Sequence, residues 1–291
     1  MHPGRGRGKR LKMIKKILEI QRREADIDCW IRTIIPVIAL QLSISRGINI
    51  ALLHHLDSSM NPHPFLNRLF DWMYLRNLKR CQHIVVVSKY WEEFLKERGF
   101  PNSQVIRNCI DPPSPEITDE EVKVFISRYG FNADKPIVYL GNCQRRKGVA
   151  KAYEVLKNSP YQLVTSGKPE VELAVRNLDL SQRNYLTLLK ASSVVLTMSL
   201  FKEGWNRTAH EAMLFGTPVV GSGKGGMREL LEGGGQTVCE DFSELRGCVE
   251  NAIRNREAFE LAGRKFVAGL SLARFSREWV GLILRVTDRM D

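Results

Sequence analysis

Cysteine is scarce in this chain, and paired cysteine is missing. Six cysteines stand among 291 residues, at positions 29, 81, 109, 143, 239 and 248, and no two of them form a Cys-x-x-Cys. That excludes a disulfide-stapled scaffold, argues against a zinc ribbon or thioredoxin-type redox site, and points to a reducing cytoplasm. Long apolar runs are also lacking. The most apolar stretch, Thr33 to Ile44, contains Pro36 and Gln41 and is bounded by Arg32 and Arg46. It falls short of the roughly 20 residues a spanning helix needs, so it reads as a buried helix. No secretory leader is expected either. With 43% hydrophobic and 26% charged residues, the chain is of ordinary globular composition, which excludes disorder and collagen. Its length suggests two domains.

Acidic residues are outnumbered, 32 against 44 Lys and Arg, for a formal charge of +12. Residues 1–23 hold nine of the basic residues and one acid, Glu19, so the remainder carries only +4. The excess is an arm and not a groove. It reads as a solvated tail or as a contact for phosphates. At about 1 kcal/mol per basic residue near an anionic leaflet, peripheral contact with a membrane is the expectation that goes with the second reading. The aromatics show no stacking pattern with basic residues, so no nucleic-acid partner is expected.

Strand and helix patterns alternate along the whole chain, which indicates α/β with parallel sheets. Short β-branched runs at 26–31, 48–53 and 83–87, and a weaker one at 104–107, are separated by helical patterns at 34–45, 64–79 and 89–98. The segment Pro112–Glu121, rich in proline and acid, reads as a linker. Beyond it, Pro136–Gly141 begins a second series of strands and helices, in which ligands are expected beyond the carboxyl ends of the strands.

The chemistry concentrates in Ser199–Glu211 (SLFKEGWNRTAHE), followed by AMLFGTPVVGS. Asn206 is a good N-cap, and Gly216 with Pro218 ends the helix. The helix therefore aims its positive end at whatever Glu203 and Gly204 line. Glu203 and Glu211 are eight residues apart, about 12 Å of rise on a continuous helix. Two-carboxylate hydrolysis with retention needs roughly 5 Å, so the pair suits two grips on one long ligand instead. Glycines recur where strands end, at Gly141, Gly167, Gly204 and 221–226, and Gly225-Gly226 precede a helix that carries Glu229. Backbone N–H groups are accessible to a phosphate there. The loop from Asn142 through Arg145, Arg146 and Lys147 brings basic side chains that would neutralise a diphosphate. No His/Cys ligand cluster calls for a metal, and neither metal nor cofactor is expected.

These residues resemble the retaining glycosyltransferases of the GT-B fold, the large family that includes glycogen and sucrose synthases and bacterial mannosyl- and glucosyltransferases. The resemblance is strongest over residues 135–240 and weaker over 26–134. Its signature, Glu-x7-Glu, is Glu203…Glu211 here. It implies that Glu203 lies against the donor sugar and that Glu211 bonds the ribose hydroxyls of the nucleotide. Gly141…Lys147-Gly148 resembles the family's diphosphate loop, with Asn142 where the family has arginine, so that Arg145 or Arg146 would supply that charge. Gly225, Gly226 and Glu229 resemble its sugar- and phosphate-facing loop, and Gly204 and Asn206 its donor side. ALLHHLD resembles the strand whose histidine, His54 or His55, faces sugar and acceptor. VVVSKYW and VIRNCID resemble later motifs of that half, with Cys109 in place of a glycine.

The expected fold is thus two Rossmann-like doubly wound domains facing a cleft, the N-terminal one truncated. The expected divisions are a basic arm at 1–25, an acceptor-side domain at 26–130, a nucleotide-sugar domain at 131–275 and a C-terminal helix at 276–291. The implied activity is retaining transfer of a hexosyl-type group from a nucleotide-diphosphate sugar to a glycan or lipid-linked acceptor hydroxyl, without a metal. The implied setting is the cytoplasm or the inner face of its membrane. The alternative is a non-catalytic nucleotide-sugar-binding protein, or a fragment of such an enzyme.

Overall fold

The computed structural model describes residues 12–13, 15–20, 23, 27–40, 47–57, 59, 64–112 and 116–288. Most of the basic arm lies outside them. The chain divides into two compact units: residues 1–107 with 275–291, and residues 108–274.

Unit 1 holds a four-stranded parallel sheet in simple sequential order: β1 (Cys29–Arg32), β2 (Ile48–Leu53), β3 (His83–Val86) and β4 (Ser103–Val105). The connecting helices are α1 (Ile34–Ala39), α2 (Pro64–Leu78) and α3 (Lys89–Lys96). Strand side chains alternate between the two faces. Ala51, Leu53, Ile84 and Val86 therefore meet Val37, Tyr74, Leu78, Trp91 and Leu95 of the three helices. Ile50 and Val85 point the other way, where Leu282 and Val286 cover them. Those two leucine and valine residues come from the far end of the chain. The last helix, which begins at Leu272 and ends at Thr287, returns to close the second face of this sheet. The apolar run at Thr33 does form a helix, with Val37, Ile38 and Ala39 buried.

Unit 2 holds a six-stranded parallel sheet in the order β10-β9-β8-β5-β6-β7. Its strands are β5 (Ile137–Asn142), β6 (Gln162–Ser166), β7 (Arg176–Leu178), β8 (Val194–Thr197), β9 (Val219–Gly221) and β10 (Thr237–Val238). Its helices are α4 (Asp119–Arg128), α5 (Val149–Leu156), α6 (Gln182–Ala191), α7 (Arg207–Leu214), α8 (Met227–Gly233), α9 (Leu245–Arg254) and α10 (Arg256–Ala268), and the last helix of the chain, α11 (Leu272–Thr287), is the one that covers the sheet of unit 1. Val149, Ala152 and Leu156 of α5 pack with Val249 and Ala252 of α9 on one sheet face. The strand order reverses at β5. β5 pairs with β6 as far as Asn142 but with β8 only as far as Tyr139, so β5 and β8 part toward their carboxyl ends. That is a topological switch point, the place where such sheets bind ligands.

Two sequence expectations differ from what the fold contains. The segment read as a linker to Glu121 includes the first turn of α4, whose Thr118 and Glu121 form a reciprocal capping box. The contacts of the chain divide after Arg107, against an expected boundary after residue 130. α4 is fastened to unit 2, where Arg183 bonds Glu121 at 2.7 Å and Lys190 meets Asp119 at 2.8 Å.

Candidate donor site

The switch point of unit 2 is furnished by the loops after β5, β8 and β9. After β5, Arg145–Lys147 form a short 3-10 turn that Gly148 ends in the left-handed region, φ 71°. A side chain on Gly148 would collide with the Met198 carbonyl, so only glycine lets the turn lie this close to β8. The turn presents Lys147 to the loop after β8. There Lys147 Nζ reaches Glu203 Oε1 at 2.6 Å. Ser199 Oγ donates to the same oxygen at 2.5 Å, and Asn206 Nδ2 at 3.3 Å. Three donors thus converge on one carboxylate oxygen of a residue only 7% exposed. Charge-assisted bonds of this kind are roughly twice as strong as neutral ones and fix geometry as well.

Asn206 has two tasks. Its Oδ1 accepts from Ala209 N at 2.9 Å, capping α7, while its Nδ2 steadies Glu203. The cap expected from the sequence is present, and it is coupled to the carboxylate. The glycine loop after β9 closes the opposite side. Gly225 pairs with Glu203 as an isolated parallel bridge, Glu203 N donates to Lys224 O at 3.1 Å, and Gly226 N donates to Glu203 O at 2.9 Å. At φ 68°, a Cβ on Gly225 would stand 2.5 Å from the Glu203 carbonyl oxygen. The loop touches backbone to backbone because it carries no side chain there. Gly226 then opens α8, with Glu229 in its first turn.

Glu211 sits within α7 at 2% exposure, and Arg207 Nε donates to its Oε1 at 2.7 Å. Burial raises its pKa above the usual carboxylate range, and Arg207 and Tyr185 act against that shift. Arg145 and Arg146 are exposed, and Arg146 and Lys147 lie 5.3 and 5.2 Å from the centroid of the Phe201 ring. Asn142 ends β5, and its Oδ1 is buried without a hydrogen-bond partner among the described residues.

Lys147, Gly204, Asn206, Gly225 and Gly226 are therefore gathered around Glu203, whereas Glu211 is set back in the helix. Ser199 was not singled out from the sequence. It lies four residues before Glu203 on an irregular loop, where no periodicity signals contact. His54 and His55 belong to unit 1, at the carboxyl end of β2, beside a cavity of about 660 Å³ whose other walls include Ile34, Leu52, Leu56 and Phe70. Burial, and secondarily His55, lower the pKa of His54. One Asp-x-Asp, Asp26-Ile27-Asp28, runs toward β1, and its first residue lies outside the described ones. Among the described residues no three His, Cys, Asp or Glu stand together as metal ligands, and no helix is long and apolar enough to cross a membrane.

A fold of this kind, two Rossmann-like units with the switch-point site in the second, is that of the GT-B glycosyltransferases. Residues 134–255 match the family described as glycosyl transferases group 1, so the resemblance read from the motifs holds over that segment. No curated protein matches the sequence. Among solved structures, sucrose-phosphate synthase from Thermosynechococcus elongatus superposes with a TM-score of 0.77 at 16% identity, over 96% of this chain and 78% of that one. Anabaena HepE in complex with UDP gives 0.77 at 16%, over 92% and 82%. A glycosyltransferase from Rickettsia africae gives 0.65 at 15%, over 95% and 81%.

Proposed function

We propose that the protein transfers a glycosyl group, of hexosyl type, from a nucleotide-diphosphate sugar to an acceptor hydroxyl with retention of configuration. The carrying observation is the convergence of Lys147, Ser199 and Asn206 on Glu203 at the switch point, with the Gly225–Gly226 backbone laid against the same residue. The match of residues 134–255 to the group 1 glycosyl transferases supports it. So does the similarity to HepE, of which structures with UDP and with UDP-glucose are known.

In this reading Glu203 and Gly204 lie against the donor sugar, and Glu211 takes the ribose hydroxyls. Lys147, Arg145, Arg146 and the N–H groups near Gly225 and Gly226 hold the diphosphate, beside Asn142 and Glu229. The bond from the anomeric carbon to the diphosphate breaks, and the acceptor oxygen bonds to that carbon on the same face. The acceptor's proton passes to the departing phosphate. Lys147 and the backbone donors stabilise the charge that develops there, which is worth about 10²–10³ in rate per donor in such sites, and no metal is required. His55 or His54 faces the acceptor, a glycan or a lipid-linked sugar. The reaction would run in the cytoplasm, with the basic residues at 1–23 touching the inner membrane face.

Calorimetric titration with UDP, GDP and ADP, then with the matching sugars, tests this. One nucleotide should bind at roughly micromolar Kd, and Glu211→Ala should abolish that binding. Glu203→Ala should abolish transfer in a chain that still folds and still binds the nucleotide, with some loss of melting temperature because Lys147, Ser199 and Asn206 lose their shared acceptor. Failure of all three nucleotides to bind would remove the reading, and surviving transfer in Glu203→Ala would displace its centre.

A further inference from the structure

Helix α2 buries one face and leaves a second apolar face in solvent. Tyr74 and Leu78 are fully buried against the sheet, with Phe70 and Met73 packed beside them. Elsewhere around the helix, Phe65 is 80% exposed, Leu69 42% and Trp72 53%. These positions follow one another at i, i+4 and i+7, which aligns them in one stripe. Single exposed apolar side chains are ordinary, but a contiguous stripe ending in tryptophan marks a contact surface.

The charge around the stripe says what it contacts. Arg68, between Phe65 and Trp72, Arg76, four residues beyond Trp72, and Lys79, just past the helix end, are all exposed, and the Arg76 guanidinium lies 5.3 Å from the Trp72 ring centroid. Between Pro64 and Arg80 four basic residues face one acid, Asp71. The basic excess is local to this helix, because residues 24–107 and 275–291 together hold 13 Lys and Arg against 11 Asp and Glu. Apolar and indole side chains interleaved with cations match the boundary between lipid headgroups and acyl chains. A nucleic acid would satisfy the cations and leave Phe65 and Leu69 in water.

We propose that α2 docks this chain on an anionic lipid surface. Phe65, Leu69 and Trp72 enter the headgroup boundary, and Arg68, Arg76 and Lys79 lie among the phosphates. The proposal uses none of the residues assigned to the arm or to the donor site, so it stands or falls independently of the sugar-transfer reading.

Flotation of the full chain with phosphatidylcholine vesicles, and with vesicles containing phosphatidylglycerol, tests it. The protein should float with the anionic vesicles and not with the neutral ones. The triple variant Phe65→Ser, Leu69→Ser, Trp72→Ser should partition at least about tenfold more weakly, since each side chain contributes burial of several methylene equivalents. Its melting temperature and nucleotide binding should not change, because the replaced side chains are exposed. Should that variant fold poorly, Arg68→Glu with Arg76→Glu supplies the same test and should also lose anionic partition. Absence of flotation overturns the proposal. Flotation that both variants retain assigns the contact to the arm instead. A dimer that forms in solution and is lost in the triple variant, without change in flotation, assigns the face to a second copy of the chain.

Discussion

The two units gather their distinctive side chains in different places, unit 2 in a buried polar cluster and unit 1 in an exposed apolar stripe. Unit 2 carries nearly balanced charge and draws polar groups inside, where Ser199, Glu203, Asn206, His210, Glu211 and Ser222 are all under a tenth exposed. Unit 1 owes its basic excess to residues 1–23, and it leaves Phe65, Leu69, Trp72 and Ile31 outside, the first three in one stripe on α2. Topology explains much of this. A sheet whose order reverses opens a crevice between diverging strands, and the groups lining it must be hydrogen-bonded in place. A sheet built in sequential order has no such crevice. It winds its helices onto one face and needs a cover for the other, so the features that remain for function are on its rim and outer helices.

The largest consequence concerns that cover. Leu282 and Val286 of α11 are 1% and 2% exposed against Ile50, Val85 and Ile106. Removing residues 275–291 should abolish the cooperative unfolding of unit 1 and leave that of unit 2 in place, as read by hydrogen exchange over each unit. The single change Leu282→Ala should cost unit 1 about 2–5 kcal/mol, the range for a buried leucine whose cavity does not collapse. An unaltered exchange pattern over β2 and β3 would mean that the second face needs no cover from this helix.

That covering helix also shows what sequence reading reaches and what it does not. Strands β5, β6 and β9 of unit 2 were readable because each is a short run ended by a glycine, Gly141, Gly167 and Gly221. The loop residues of the site were readable because Lys147, Asn206 and Gly225 each obey a local rule of turn or cap chemistry. The meeting of Lys147 with Ser199 on one oxygen was not, since the two lie on different loops and the contact is made by strand order. The return of α11 to unit 1 is likewise a pairing of distant segments. α4 was hidden for another reason: the proline and acid that precede it look like a linker, and the same acids in its first turn are favourable helix-start residues. β7, three residues long, is too short to carry a period.

Unit 2's buried polarity has a cost that pH exposes. His210 is fully buried, and its Nδ1 accepts from Trp205 Nε1 at 3.2 Å. Its proton therefore rests on Nε2, which has no partner among the described residues. Burial pushes its pKa down to about 4, whereas an unfolded histidine titrates near 6.5. Between those values the unfolded chain binds a proton that the folded one refuses. Stability from this group is therefore complete above pH 6.5 and falls as pH drops toward 4, by about 3 kcal/mol in total. Glu211 opposes this, because its raised pKa favours protonation in the folded state. The comparison is thus between wild type and His210→Phe, by denaturant unfolding of unit 2 at pH 7 and pH 4.5. The variant should lose less stability on acidification. Equal losses would mean that His210 is protonated in the folded protein.

The smallest effect bears on where one unit ends and the other begins. Thr118 accepts from Glu121 N at 3.2 Å, and Glu121 Oε2 accepts from Thr118 N at 2.9 Å, so two orphan donors of α4 are satisfied reciprocally. Thr118→Ala removes one half of that exchange and should cost about 1 kcal/mol. If α4 belongs with residues 108–274, as its bonds from Arg183 and Lys190 imply, the loss falls on the unfolding of unit 2 alone. Hydrogen exchange should then quicken together in α4 and α6 and stay unchanged in β2 and β3. Faster exchange in unit 1 would place the boundary beyond α4, near residue 130. A cap is a suitable probe for this because it alters one helix end and removes no core contact, so whatever cooperates with α4 reports the change and whatever does not stays silent.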